Sequence, residues 1–283
     1  MAEKHIPVLL GAVVNALGDI RGKTIVDCTF GAGGYSRRFL ESGAYVIAFD
    51  RDPNVIPDAD KLKHDYPEHF VFISKTFSNI SELTQNIDAI VMDLGISSMQ
   101  IDVPERGFSF RADAELDMRM SQSGIGAADL ICQCSVEQLA QILRDYGDVK
   151  KANVLARAIK DAQPKTTMEL RNLIHNPKDV APVFQALRIA VNDEMGELER
   201  ALAVVPQLLQ VGGKCICVTF HSLDDRIVKN TFKNWTTAPG DPRLPTVATA
   251  KFDLIKTAVP TKDELDNNPR ARSAHMRGVI KSH

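Results

Sequence analysis

The stretch VDCTFGAGGYS, residues 26–36, decides the fold. Residues 24–30 read as an apolar strand that runs into a glycine-rich bend, and residues 34–42 as a helix closed by Gly43. A second apolar strand, VIAFD at residues 46–50, ends on a carboxylate. Strand, glycine bend, helix and acid-tipped strand make the first half of an α/β nucleotide site. The bend lets a ligand approach the backbone closely, and Asp50 can hold ribose hydroxyls. A dinucleotide site needs glycine or alanine at the last position of G-x-G-x-x-G. Here GAGGYS closes on Ser36, which argues against a nicotinamide-dependent oxidoreductase.

The rest of the chain extends this pattern. Pro7 opens an apolar helix, at a first-turn position that tolerates proline. Residues 70–74 and 88–94 (DAIVMDL) read as the third and fourth strands, and such continuous apolar runs suit parallel strands covered on both faces. Prolines 53, 57 and 67 predict only short helix between the second and third strands. From 102 to 192 no strand is predicted: VEQLAQILRDYG, NVLARAIKDA and APVFQALRIAV carry apolar residues at helix period. A helix at 196–210 and a turn at Gly212 and Gly213 lead to KCICVTF, residues 214–220, as the fifth strand. FDLIKT and HMRGVIK supply the last two. The expectation is a helical domain, residues 102–192, inserted into a doubly wound sheet formed by 1–101 and 193–283.

A chain of 283 residues is long enough for this pair of domains. The formal charge of −2 means that any nucleic-acid contact needs a local basic patch. An odd cysteine count without a secretory leader predicts reduced thiols and a cytoplasmic location. No run approaches the roughly 20 apolar residues of a membrane span. The Cys132/Cys134 and Cys215/Cys217 spacings invite metal, but the second pair lies on one face of a strand, where packing accounts for it, and no metal is expected. His221, Ser222, Asp224 and Asp225 suggest a hydrolase triad only on paper, because triad members converge from distant segments. Ser222 as a helix cap, answered by Asp225 three residues on, accounts for them.

The spacing of Asp27 before G-x-G-G resembles motif I of the S-adenosylmethionine-dependent methyltransferases. Further blocks are DLGISSMQIDVPERGFSFRADAELDMRM (93–120), GGKCICVTFHSLDDRIVK (212–229) and NPRARSAHMR (268–277). With HIPVLL and FQALRIAVNDE they resemble the MraW family of ribosomal RNA small-subunit methyltransferases over nearly the whole chain. The resemblance implies an α/β fold, a Rossmann-like seven-stranded methyltransferase sheet with an inserted all-helical domain for substrate recognition. It implies S-adenosylmethionine as donor, and as target the exocyclic amine of a cytosine in the decoding region of small-subunit (16S-type) ribosomal RNA. The substrate would be an assembled or nearly assembled small subunit; monomer and homodimer both stay open. Cofactor contacts carried over fall on Gly33, Gly34, Tyr35, Asp50, Phe77, Asp93 and Gln100. Many members carry histidine where Tyr35 stands, so a backbone contact is expected there.

The chemistry narrows the remaining candidates. Cytosine's amine lone pair is delocalised into the ring, so a hydrogen-bond acceptor must be aimed at its N–H. Asp93, the Leu94 carbonyl, Ser97 and Ser98 are candidates, and His221, ending the fifth strand, could face the base. The base must leave its stack. Phe108 and Phe110 can receive it, and Arg106, Arg111 and Arg119 can hold phosphates. Arg270, Arg272 and Arg277 form a second basic cluster. A non-catalytic RNA-binding or assembly factor is the reading from another class; the intact Asp50 and Asp93 argue against it.

Overall fold

The computed structural model describes residues 7–84, 86–238 and 250–283. They form two compact units: the chain up to Gly95 with Glu197–His283, and Ile96–Gly196. The first unit begins with α1 (Leu10–Leu17), β1 (Thr24–Asp27), α2 (Gly34–Glu41), β2 (Tyr45–Phe49), α3 (Ile56–Asp65), β3 (Phe70–Ile73) and β4 (Ile87–Asp93). The helical unit holds α4 (Ser98–Ile101), α5 (Ala127–Gln133), α6 (Val136–Gly147), α7 (Ala152–Ala162), α8 (Thr167–Leu173) and α9 (Pro177–Asn192). The chain returns through α10 (Glu194–Leu208) to β5 (Leu209–Thr219), α11 (Ser222–Thr236), β6 (Phe252–Ala258), α12 (Lys262–Asn267) and β7 (His275–Lys281).

The seven strands form one sheet in the order β3-β2-β1-β4-β5-β7-β6. Strands β1 to β5 pair in parallel; β7 runs antiparallel to both β5 and β6. The order reverses between β1 and β4, and in such sheets ligands bind beyond the carboxyl ends at that switch point. Asp27, Asp93 and, one residue past β2, Asp50 lie at those ends. The middle strands are apolar on both faces: Ile25, Val26, Ile90, Val91, Cys215 and Cys217 are all buried. Lysines close several helix ends. Lys214 Nζ donates to the Ala16 and Leu17 carbonyls at 2.8 Å, and Lys281 Nζ to those of Pro206 and Leu209.

The helical unit has its own core. Leu139 and Leu143 of α6, Ala156 and Ile159 of α7, and Val183 and Leu187 of α9 pack with Leu116 and Met118 from the preceding loop. Among the described residues its strand-like pairing is a single bridge, Glu115 with Thr166.

Four expectations need correction. The first helix starts at Leu10 rather than Pro7, after Leu9 takes a left-handed turn (φ 57°). Prolines 53 and 57 do not shorten the helix between β2 and β3: each falls in a first helical turn, where its missing N–H costs nothing, and α3 runs for 10 residues. Gly212 and Gly213 lie inside β5, not before it. Gly212 has φ 80°, and a Cβ on Gly213 would sit 3.0 Å from the Ile87 carbonyl oxygen, so the pair makes an irregularity in the strand without ending it. Helix α11 is capped one residue earlier than expected. His221 is its N-cap, and the answering carboxylate is Asp224.

Candidate functional site

The sheet unit brings three carboxylates to the carboxyl ends of β1, β2 and β4. Asp27 is fully buried. Its Oδ2 accepts from Ser36 Oγ at 2.6 Å and its Oδ1 from the Thr29 N–H at 3.2 Å. Burial outweighs these bonds and pushes the carboxyl up to about 6, with a smaller push from the Asp50 charge. Asp50 ties the glycine bend to the end of β2: its Oδ2 accepts from the Gly31 N–H at 2.8 Å, and its Oδ1 from the Asp52 N–H at 2.9 Å. Burial raises its pKa as well. The Asp93 N–H donates to Thr29 Oγ1 at 2.7 Å. Asp93 Oδ1 is shut off from solvent and has no hydrogen-bond partner among the described residues. Burial, then the Asp27 charge, push this carboxyl up to about 8. None of the three joins an ion pair among the described residues. Asp27 and the Asp93 carboxylate, shut off from solvent without a counter-charge, mark a place that favours positive charge.

The glycine bend divides its labour. Gly33 is left-handed (φ 74°), and a Cβ there would lie 2.8 Å from the Phe30 ring. A Cβ on Gly34 would run into the Pro7 ring. Gly34 therefore makes room for the chain's own first segment, where the sequence suggests ligand approach. Tyr35 is buried and its hydroxyl donates to the Val8 carbonyl, which leaves its backbone as the part to offer a ligand. Phe77 opens the 3₁₀ turn Phe77–Glu82 and packs, partly buried, against the sheet's apolar cluster. His221 caps α11 through its backbone, its N–H donating to Asp224 at 3.0 Å. Arg277 is paired bidentately with Asp225, at 2.7 and 2.8 Å. Arg270 and Arg272 are exposed.

In the helical unit, Ser97 and Gln100 cap each other. Ser97 Oγ accepts from the Gln100 N–H at 3.3 Å, and Gln100 Oε1 from the Ser97 N–H at 3.1 Å. The Ser98 side chain lies outside the described part of the structure. Phe108 is buried in this unit's core, with the Arg106 guanidinium 5.6 Å from its ring centroid. It has no open face for a base. Phe110 meets Phe184 edge-on at 5.4 Å. Arg106 donates to the Arg119 and Met120 carbonyls, at 2.9 and 3.0 Å. Arg119 is paired bidentately with Asp117, at 2.7 and 2.8 Å. Only Arg111 of this group is fully exposed. Desolvation explains the pattern: a guanidinium that leaves bulk water needs acceptors, and the loop supplies them.

The model of the MraW methylase family matches residues 2–282. The chain belongs to the MraW methylase family. It is 44% identical over 304 residues to the ribosomal RNA small subunit methyltransferase H of Brucella anthropi, covering 99% of this chain and 88% of that one. The enzyme of the same name from Brucella ovis is 42% identical over 308 residues, with the same coverage.

As a MraW methylase the protein takes its methyl group from S-adenosylmethionine. The donor set fits that group. A sulfonium is a cation, and Asp93 Oδ1 is a buried acceptor without a described partner, close enough to the buried Asp27 to feel its charge. Sequence reasoning places Asp27 in the motif but leaves it out of the site, and uses Ser36 only to exclude a dinucleotide. Their bond joins β1 to α2 across nine residues, with no local signal. The Ser97–Gln100 cap has a signal that sequence reasoning missed, the pattern S-x-x-Q.

Proposed function

We propose that this MraW methylase methylates the exocyclic amine of one cytosine in the decoding region of small-subunit ribosomal RNA. We take the substrate to be an assembled or nearly assembled subunit, and the compartment to be the cytoplasm. The observation that carries the reading is Asp93: a buried carboxylate oxygen without a described partner, at the sheet's switch point, in a chain 44% identical to a small-subunit ribosomal RNA methyltransferase.

When bound, S-adenosylmethionine supplies an electrophilic methyl on a positively charged sulfur. The chain's part is to hold reactants in line and to accept the amine's proton. Asp50 keeps lone pairs beyond its two backbone bonds, enough for ribose hydroxyls. Gly33 and Tyr35 present backbone at the start of α2, and Phe77 offers an apolar edge. We assign the acceptor role to Asp93. Its Oδ1 has no competing described partner, whereas Ser97 is engaged with Gln100. An ionised Asp93 favours the pyramidal amine over the flat, conjugated one. Phosphate contacts fall to Arg111 and Arg272, which are exposed, since Arg106, Arg119 and Arg277 are engaged within the protein. The helical unit serves substrate recognition.

Mass mapping of methylated nucleotides in small-subunit RNA, from cells with and without this protein, tests the reading. One cytosine should lose an amine-linked methyl in its absence and regain it with the wild-type chain, but not with Asp93→Asn. An unchanged map overturns it.

A further inference from the structure

Glu197, in α10, is buried and belongs to none of the motifs above. Its Oε2 accepts from the Ser78 N–H at 3.3 Å, and its Oε1 from Arg200 at 2.7 Å. Arg51 adds positive charge. Burial works against its ionisation, yet the bonds from Arg200 and Ser78, with the Arg51 charge, hold its pKa below the usual carboxylate value. Thr76 and Ser78 flank Phe77, and Arg51 follows Asp50. One carboxylate on α10 thus holds the backbone of the turn after β3. The turn's own side-chain bonds, such as Thr76 Oγ1 to Asn79 Oδ1 at 3.0 Å, stay within the turn and do not tie it to α10.

We propose that Glu197 is a positioning residue: it clamps the turn at 76–78 to α10 and so places Phe77 for the nucleoside end of the donor. This rests on the reading that Asp50 and Phe77 hold the donor. Loops ordered before the ligand arrives spare part of the entropy cost of binding. Losing the clamp should therefore weaken ground-state binding and leave the methyl-transfer step largely alone.

Calorimetry with S-adenosylhomocysteine tests this on the full chain. Glu197→Ala should bind about tenfold more weakly, with the donor KM raised in step and kcat within about twofold. Glu197→Gln keeps the size and one acceptor and should lose less. Without any ligand, the Ser78 amide should exchange its hydrogen faster in Glu197→Ala. Unchanged affinity in a folded Glu197→Ala protein overturns the proposal, even if its melting temperature falls. Should that variant not fold, Glu197→Gln decides: about a threefold loss supports the clamp, and no loss refutes it. Asp50→Asn, measured in parallel, separates the two ideas. If it weakens binding while Glu197→Ala does not, the clamp fails and the site stands; if neither matters, the site assignment itself is wrong.

Discussion

Asp93 ends β4 with one carboxylate oxygen that no described group reaches, and this isolation governs its proton. Its carboxyl titrates at about 8 in the folded chain against an ordinary 3.8, because burial and the Asp27 charge disfavour ionisation. Between those values the folded state holds a proton that the unfolded state has lost. This contribution to stability is complete below the ordinary value and is lost as pH rises through about 8. Asp93→Asn cannot ionise. Its melting temperature should exceed that of the wild type by several degrees at alkaline pH, with the gap closing as pH falls toward 4. Thermal melts across that range check it; a constant gap contradicts it. Donor binding runs the other way. Pairing with a cation needs the carboxylate, so wild-type affinity should rise with pH up to about 8 relative to Asp93→Asn. Calorimetric titrations of both proteins with S-adenosylmethionine at several pH values measure the difference. Gly34 shows how residue-scale reading goes astray. A glycine in such a bend suggests space for a ligand, but Pro7 takes that space, and no pattern within residues 26–36 announces a partner arriving from the chain's beginning.

Helix α11 and its cap carry the lesson at the scale of elements. The string FHSLDDR shows that a helix begins, but its candidate caps differ by one position. In the fold, Asp224 accepts from the N–H groups of Phe220, His221 and Asp225, at 3.1, 3.0 and 2.8 Å. Asp225 turns instead to Arg277 and to Thr219 Oγ1. Asp224→Ala should therefore cost about 1–3 kcal/mol, since buried donors lose their acceptor. Ser222→Ala should stay within about 0.5 kcal/mol. Urea unfolding of both variants tests the assignment, and a larger loss at Ser222 would restore the original cap. Reciprocal caps at Ser135 with Gln138 and Thr166 with Glu169 follow the S/T-x-x-E/Q pattern and mark the starts of α6 and α8. The β5 irregularity left a weaker trace. Two adjacent glycines mark a turn as readily as a bulge, and the pairing of β5 with β4 decides between them.

For the whole molecule, the decisive quantity is where its charge is free. A net charge of −2 gives no general attraction for RNA, so binding depends on arginines that keep their charge exposed. Arg272→Ala should weaken small-subunit RNA binding and flatten its salt dependence by about one unit of log–log slope, with melting unchanged. Arg277→Ala should instead lower stability by roughly 1 kcal/mol, because it strips Asp225 of a half-buried partner. Filter binding at several salt concentrations, beside thermal melts, distinguishes the two roles; equal effects on both would refute the division. The amino-acid order alone determined the α/β class, the places of most strands, the helical stretch between β4 and α10, and the acids that tip β1, β2 and β4. These features arise from apolar period and turn chemistry, which act over a few residues. Tertiary structure alone decided which arginines are spent inside the protein, which glycine serves packing, and which carboxylates hold their protons. Those outcomes depend on desolvation and on partners as far apart as Asp225 and Arg277, and a local pattern carries neither.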